Sequence, residues 1–161
     1  MIVHAGMVAT RQGGRWRGVL IQGPSGCGKS DLALRMLDLG FRLVADDRTV
    51  LWTCEGRLFG RAPASLAGMI EVRGLDVVDA PTLAFCEVAL AVRCGPAERM
   101  PEPQWAEFAG LRVPALSLHP LEASAPAKLR RALLHLGQAA EGAYLTRRVA
   151  RSLPRPGGES R

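Results

Sequence analysis

Lysine is scarce in this chain. Of 21 basic side chains, only Lys29 and Lys128 are lysines, and the rest are arginines. No apolar run approaches the ~18 residues that cross a bilayer as a helix. Residues 1–6 lack the basic and apolar regions of a signal peptide, so a cytoplasmic location is expected, with no membrane partner. The four cysteines, Cys27, Cys54, Cys86 and Cys94, have no CxxC spacing, which argues against zinc and redox motifs. In a reducing compartment they are expected as free thiols. There is no internal repeat, no clear linker and no nucleic-acid motif. The net charge of +6 is spread along the chain apart from Arg130–Arg131 and the group Arg147, Arg148 and Arg151. It reads as a solvated basic face, not a specific nucleic-acid site.

The length of 161 residues fits one domain, expected over 1–152, with the Pro- and Gly-rich residues 153–161 as a disordered tail. Residues 2–10 and 18–22 read as strands around the turn Gln12-Gly13-Gly14-Arg15. Residues 29–39 carry helical spacing, with Leu32, Met36 and Leu39 on one stripe and Gly40 as a C-cap. Phe41–Ala45 reads as a strand. Hairpins are expected around Glu55-Gly56 and Arg73-Gly74, and a further strand over 86–92. Four prolines in 95–116 suggest irregular chain or a lid, with Trp105 and Phe108 as core residues or partner anchors. A helix entered through Pro126 is expected to run from Ala127 to about Arg151.

One of the two lysines sits where its chemistry is most specific. Gly23-Pro24-Ser25-Gly26-Cys27-Gly28-Lys29-Ser30 matches GxxxxGK[ST], between an apolar strand and an amphipathic helix. Glycines let successive backbone N–H groups turn inward around phosphate oxygens, and the helix aims its positive N-terminus at the same anion. Lys29 can reach the outer phosphates, and the Ser30 hydroxyl can coordinate magnesium. The lysine is expected in a solvent-filled loop. Asp46-Asp47 ends the next strand. Two adjacent carboxylates repel, and a metal beside phosphates would relieve this; a solvated strand end with Asp47 paired to Arg48 is the other reading. Glu71 and Arg73 share a strand face, as an exposed ion pair or as site residues.

Taken in order, Gly23–Ser30, Leu43-Val44-Ala45-Asp46-Asp47-Arg48 and Ile70-Glu71-Val72-Arg73-Gly74-Leu75 resemble the kinase domain of the HPr kinase/phosphorylase family in its short bacterial form. The resemblance covers about residues 1–92. It implies an α/β P-loop kinase fold of the HPr kinase and phosphoenolpyruvate carboxykinase type, a mixed sheet with flanking helices. It implies ATP and Mg²⁺ as cofactors, the serine of the phosphocarrier protein HPr as acceptor, and a homo-oligomer, a hexamer in the family. Carried over by residue, it implies Asp46 as general base, Lys29 on phosphate, and Ser30, Asp47 and Glu71 on the metal side. Arg73 falls in the signature associated with dephosphorylation, and His4 is a possible site residue. Asp76 stands where the signature has glycine, so kinase activity is expected to exceed phosphorylase activity. The family's later Gly-Arg-Asn loop has no counterpart in residues 93–161.

Overall fold

The protein is described by a computed structural model for residues 1–136. The expected second half of the last helix, Arg147, Arg148 and Arg151, and the tail from 153 lie outside the described residues.

The chain runs β1 (Ile2–Gln12), β2 (Arg15–Gln22), α1 (Lys29–Asp38), β3 (Arg42–Ala45), β4 (Arg48–Cys54), β5 (Arg57–Arg61), β6 (Met69–Val72), β7 (Asp76–Asp79), β8 (Cys86–Cys94), β9 (Gln104–Phe108) and β10 (Leu111–Leu118). A further helix, α2, occupies 125–136. Eight strands form one mixed sheet in the order β2-β1-β4-β5-β8-β10-β9, with β3 also on β1 and β2 also on β8; β6 and β7 form a separate hairpin. The sheet folds over because two strands divide their pairing. Ile2–His4 of β1 lie against β4, while Ala5–Gln12 lie against β2. Cys86 and Glu87 of β8 lie against β5, while Val88–Arg93 lie against β2.

Alternation along the strands then feeds two cores. Ala5, Met7, Ala9, Leu20, Leu51, Leu58 and Val88 fill the space inside the folded sheet. Val8, Val19, Ile21, Leu90 and Val92 face the other way, onto Leu32, Ala33 and Met36 of α1 and Leu129 and Leu133 of α2. Burying each large aliphatic side chain contributes roughly 1.5–3 kcal/mol. The alternation slips in β8. The parallel β2–β8 register shifts between Gly18 and Val19, so Ala89 and Leu90 both enter the helix-side core, as a bulge requires. In α1 the stripe of Leu32 and Met36 is buried as expected, but Leu39, the C-cap residue, is 43% exposed.

The hairpin turns follow from backbone chemistry. Gly13 and Gly14 both take positive φ between β1 and β2, and Glu55 and Gly56 do so between β4 and β5. Two consecutive left-handed residues are what a two-residue turn matched to strand twist demands. The stretch 95–116 departs from its expectation. It holds the β9–β10 hairpin, and β10 continues as a parallel neighbour of β8. Pro114, paired with Trp105, stands just ahead of Ala115, where pairing with β8 begins, so this proline is tolerated in the sheet. Phe108 is core, whereas Trp105 is partly exposed and carries the Arg112 guanidinium over its ring.

Met7 lies across two glycines. A Cβ at Gly60 would stand 2.5 Å from its Sδ, and one at Gly18 would stand 2.3 Å from its Cε and 2.7 Å from the Glu87 carbonyl oxygen. The thioether could move, but the carbonyl belongs to the β8 backbone. Gly18→Ala is therefore expected to destabilise the fold by about 1–3 kcal/mol, read as a lower Tm in thermal unfolding. An unchanged Tm would mean that β2 and β8 are not packed this closely.

Candidate active site

Buried strand β2 delivers the chain to Gly23, and α1 begins at Lys29. Between them Gly26 (φ 76°) and Gly28 (φ 104°) take left-handed conformations that side-chain-bearing residues rarely adopt. The Cys27 N–H donates to the Pro24 carbonyl at 3.3 Å, and the Leu32 N–H donates to Gly28 at 2.9 Å to start the helix. No side chain caps this helix end, which leaves its first N–H groups for an anion.

Lys29 is not in a solvent-filled loop, as its sequence position suggested. It is only 6% exposed, and its Nζ donates to the carbonyls of Gly23 (3.1 Å) and Pro24 (3.0 Å). The ammonium thus bridges the first residues of the loop, and its charge is held at the loop's centre.

The Ser30 hydroxyl donates to Asp46 Oδ1 at 2.8 Å. The other oxygen, Oδ2, accepts the backbone N–H of Glu71 at 3.1 Å. Asp46 therefore joins the loop to the β6–β7 hairpin. Asp47 goes elsewhere. Its φ is +62°, and the Arg48 N–H donates to the Asp46 carbonyl at 2.7 Å, so the chain makes a tight three-residue turn centred on Asp47. Such strained backbone at a non-glycine residue is the kind that clusters at functional sites. The turn separates the two carboxylates, which lowers their mutual repulsion. Asp47 Oδ1 lies 3.0 Å from His4 Nε2, both side chains being about half exposed. His4 is brought there by register, since it pairs with Arg48 across β1 and β4. The partner of Asp47 is thus His4, not the Arg48 of the alternative reading.

Glu71 and Arg73 are exposed at the β6–β7 hairpin, and only the backbone of Glu71 contacts the aspartate. Asp76 Oδ1 accepts the neighbouring Val77 N–H at 2.7 Å, so its carboxylate caps its own strand. Among the described residues, no three His, Cys, Asp or Glu side chains gather as a metal centre. The structure therefore brings together Lys29, Ser30 and Asp46, and separately His4 and Asp47, without gathering Ser30, Asp47 and Glu71 into one ligand set. The donors beside the loop are a hydroxyl and a carboxylate oxygen. They suit a hard cation that also takes phosphate oxygens and waters, which is the preference of magnesium.

Sequence reasoning missed Arg35. From α1 it donates to the carbonyl of Pro120 and, at 3.2 Å, to that of Glu122, and so fixes the segment that seats Leu121 over Gly28. A Cβ on Gly28 would meet Leu121 Cδ2 at 2.7 Å. A contact spanning more than eighty residues leaves no local trace in the sequence.

Residues 4–90 match the family described as HPr Serine kinase C-terminal domain. The chain belongs to this family. Curated relatives include the HPr kinase/phosphorylases of Clostridium tetani, 50% identical over 66 residues, and Clostridium beijerinckii, 48% identical over 66 residues. Each alignment covers 41% of this chain and 22% of the relative, so the match spans about a fifth of those proteins. Among solved structures, the Hpr(Ser) kinase/phosphatase from Coxiella burnetii superposes with a TM-score of 0.75 at 25% identity, covering 92% of this chain and 98% of that one. The α/β fold with its mixed sheet, expected from the three motifs, is that of the family. Among the described residues no helix is long and apolar enough to cross a membrane.

Proposed function

We propose that the chain is an ATP- and Mg²⁺-dependent protein kinase that transfers the γ-phosphoryl group to a serine of HPr in the cytoplasm. The observation that carries this reading is the Ser30 hydroxyl held on Asp46 at 2.8 Å beside a glycine loop whose lysine is buried at its centre. The backbone N–H groups of residues 26–30 and the α1 N-terminus cradle the phosphates, and Lys29 counters charge on the outer phosphate oxygens. Ser30 and Asp46 are the residues that would hold magnesium. When bound, the ion supplies neutralisation of the phosphate charge.

We infer that the two aspartates exchange the roles that the resemblance suggested, a reading supported by their contacts. Asp46 is committed to Ser30 and the Glu71 N–H, which is the place of a metal-side carboxylate. Asp47, turned outward and half exposed, is free to accept a proton from a serine hydroxyl. His4 orients it at 3.0 Å. Glu71 and Arg73 stand on the exposed hairpin next to Asp46, where a protein acceptor approaches; Arg73 is the group available for the phosphate of phosphoserine in the reverse reaction. The family resemblance supports assembly of several copies, up to a hexamer, which sedimentation velocity would measure.

The acceptor is tested by offering ATP and magnesium with HPr, other small proteins and free serine, and mapping phosphate by mass spectrometry. Phosphoserine on HPr alone is expected. Tight ATP binding with transfer to none of them would favour a nucleotide-binding regulatory module instead.

A further inference from the structure

Two of the four cysteines meet beneath the phosphate loop. The last pair of the parallel β2–β8 ladder is Gln22 with Arg93, so the next residues, Gly23 and Cys94, lie side by side. The loop then curls back and brings Cys27 over the same place. A Cβ built on Gly23 would stand 2.7 Å from Cys27 Sγ, 2.7 Å from Cys94 Cβ and 3.5 Å from Cys94 Sγ. Both sulfurs therefore lie within 3.5 Å of the point where a Gly23 side chain would begin, and the bare α-carbon of Gly23 is what lets them share that space. Neither is fully buried. The remaining cysteines differ: Cys54 is exposed on β4 and Cys86 is buried at the start of β8.

We propose that Cys27 and Cys94 form a peroxide-responsive modification site, in which a reversible disulfide ties the phosphate loop to the end of β8 and weakens nucleotide binding.

The chemistry needs one two-electron oxidant, a hydroperoxide. The Cys27 sulfur, as thiolate, attacks one peroxide oxygen and the O–O bond breaks. The released hydroxide takes a proton, giving Cys27 sulfenic acid and water. Cys94 sulfur then attacks Cys27 sulfur; the S–O bond breaks, and the departing hydroxide leaves as water with the Cys94 proton. In total two thiols and one hydrogen peroxide give one disulfide and two waters. Burial, and then the neighbouring Cys27, push the Cys94 thiol up to about 12. Cys94 thus keeps its proton, which suits the resolving partner and leaves the first attack to Cys27. The consequence for binding follows from position. Cys27 lies between the two left-handed glycines Gly26 and Gly28. A covalent bond from it to β8 restricts the backbone that must wrap the phosphates.

The test uses the full chain, reduced and then exposed to hydrogen peroxide under native conditions. Free thiols are trapped with iodoacetamide, and disulfide-linked peptides are mapped by mass spectrometry. The expected product is a peptide pair joined through Cys27 and Cys94, lost on treatment with dithiothreitol and not formed in Cys94→Ser or Cys94→Ala. Isothermal titration with Mg-ATP should show affinity falling about tenfold or more on oxidation and returning on reduction, with both Cys94 variants insensitive to peroxide. Full alkylation of Cys27 and Cys94 after peroxide, or linkage of Cys27 to Cys54 instead, would overturn the proposal. A Cys27–Cys94 link with unchanged ATP affinity would overturn its effect on binding. The binding effect rests on the nucleotide reading above, whereas the cross-link does not. Failure of the reduced chain to bind Mg-ATP would count against that reading and leave the cross-link to decide the cysteine site.

Discussion

Lys29→Met is expected to lower the rate of phosphoryl transfer from ATP to HPr by about 10²–10³-fold or more. The cause is the loss of a fixed positive charge at the centre of the glycine loop, where the transferring group gathers negative charge. A stability penalty accompanies it. Lys29 is 6% exposed and donates to the carbonyls of Gly23 and Pro24, so its removal leaves two loop oxygens without that partner. Both contacts are partly buried, so losing each hydrogen bond costs roughly 0.5–1.5 kcal/mol. The variant should remain folded by circular dichroism, with a lower Tm and a large fall in transfer. Methionine keeps much of the side chain's length and apolar packing, so the rate effect can be assigned to the charge. Near wild-type transfer by folded Lys29→Met would remove the loop from the mechanism.

Replacing the two aspartates separates their roles. Asp46→Asn keeps the shape of the contact with Ser30 but removes the charge beside the site for the cation. It should raise the magnesium concentration needed for half-maximal transfer and reduce the rate even when magnesium is saturating. Asp47→Asn leaves the Ser30–Asp46 bond alone but takes away the proton acceptor. It should leave ATP binding close to wild type and lower kcat by about 10²–10⁴-fold. His4→Ala, which loosens Asp47 without removing it, should fall between wild type and Asp47→Asn. Steady-state kinetics over a magnesium series, with ATP affinity measured by titration, distinguish these outcomes. If Asp46→Asn lost kcat with unchanged magnesium dependence while Asp47→Asn raised the magnesium requirement, the aspartates would hold the opposite roles.

Local chemistry made much of the fold legible. The glycine pair at 13–14 and Glu55-Gly56 marked hairpins because two-residue turns need left-handed backbone, and those residues adopt it. The loop and α1 were readable because the motif and the helical stripe of Leu32 and Met36 adjoin. The β9–β10 hairpin was not, because prolines in 95–116 outweighed the short alternation of Ala106 and Phe108, and β10 gains stability from β8, which is distant in sequence. The folding-over of the sheet was equally hidden. It arises from β1 and β8 dividing their partners, which no periodicity records.

The site was legible in its residues and less so in their arrangement. Lys29, Ser30, Asp46, Asp47 and His4 were all singled out, yet the sequence could not say that one aspartate turns to Ser30 and the other to His4. That division depends on a positive φ at Asp47, which leaves no mark in composition. Nor could sequence foresee that Cys27 and Cys94 converge, since the parallel register that joins them is a property of the sheet.

The most direct measurement is transfer of label from γ-labelled ATP, with magnesium, to HPr and to an HPr variant whose acceptor serine is alanine. The account predicts label on HPr, none on the alanine variant and transfer slower by about a hundredfold or more when the enzyme is Lys29→Met. No label on HPr from a folded chain that binds ATP, or equal label on the alanine variant, would contradict it.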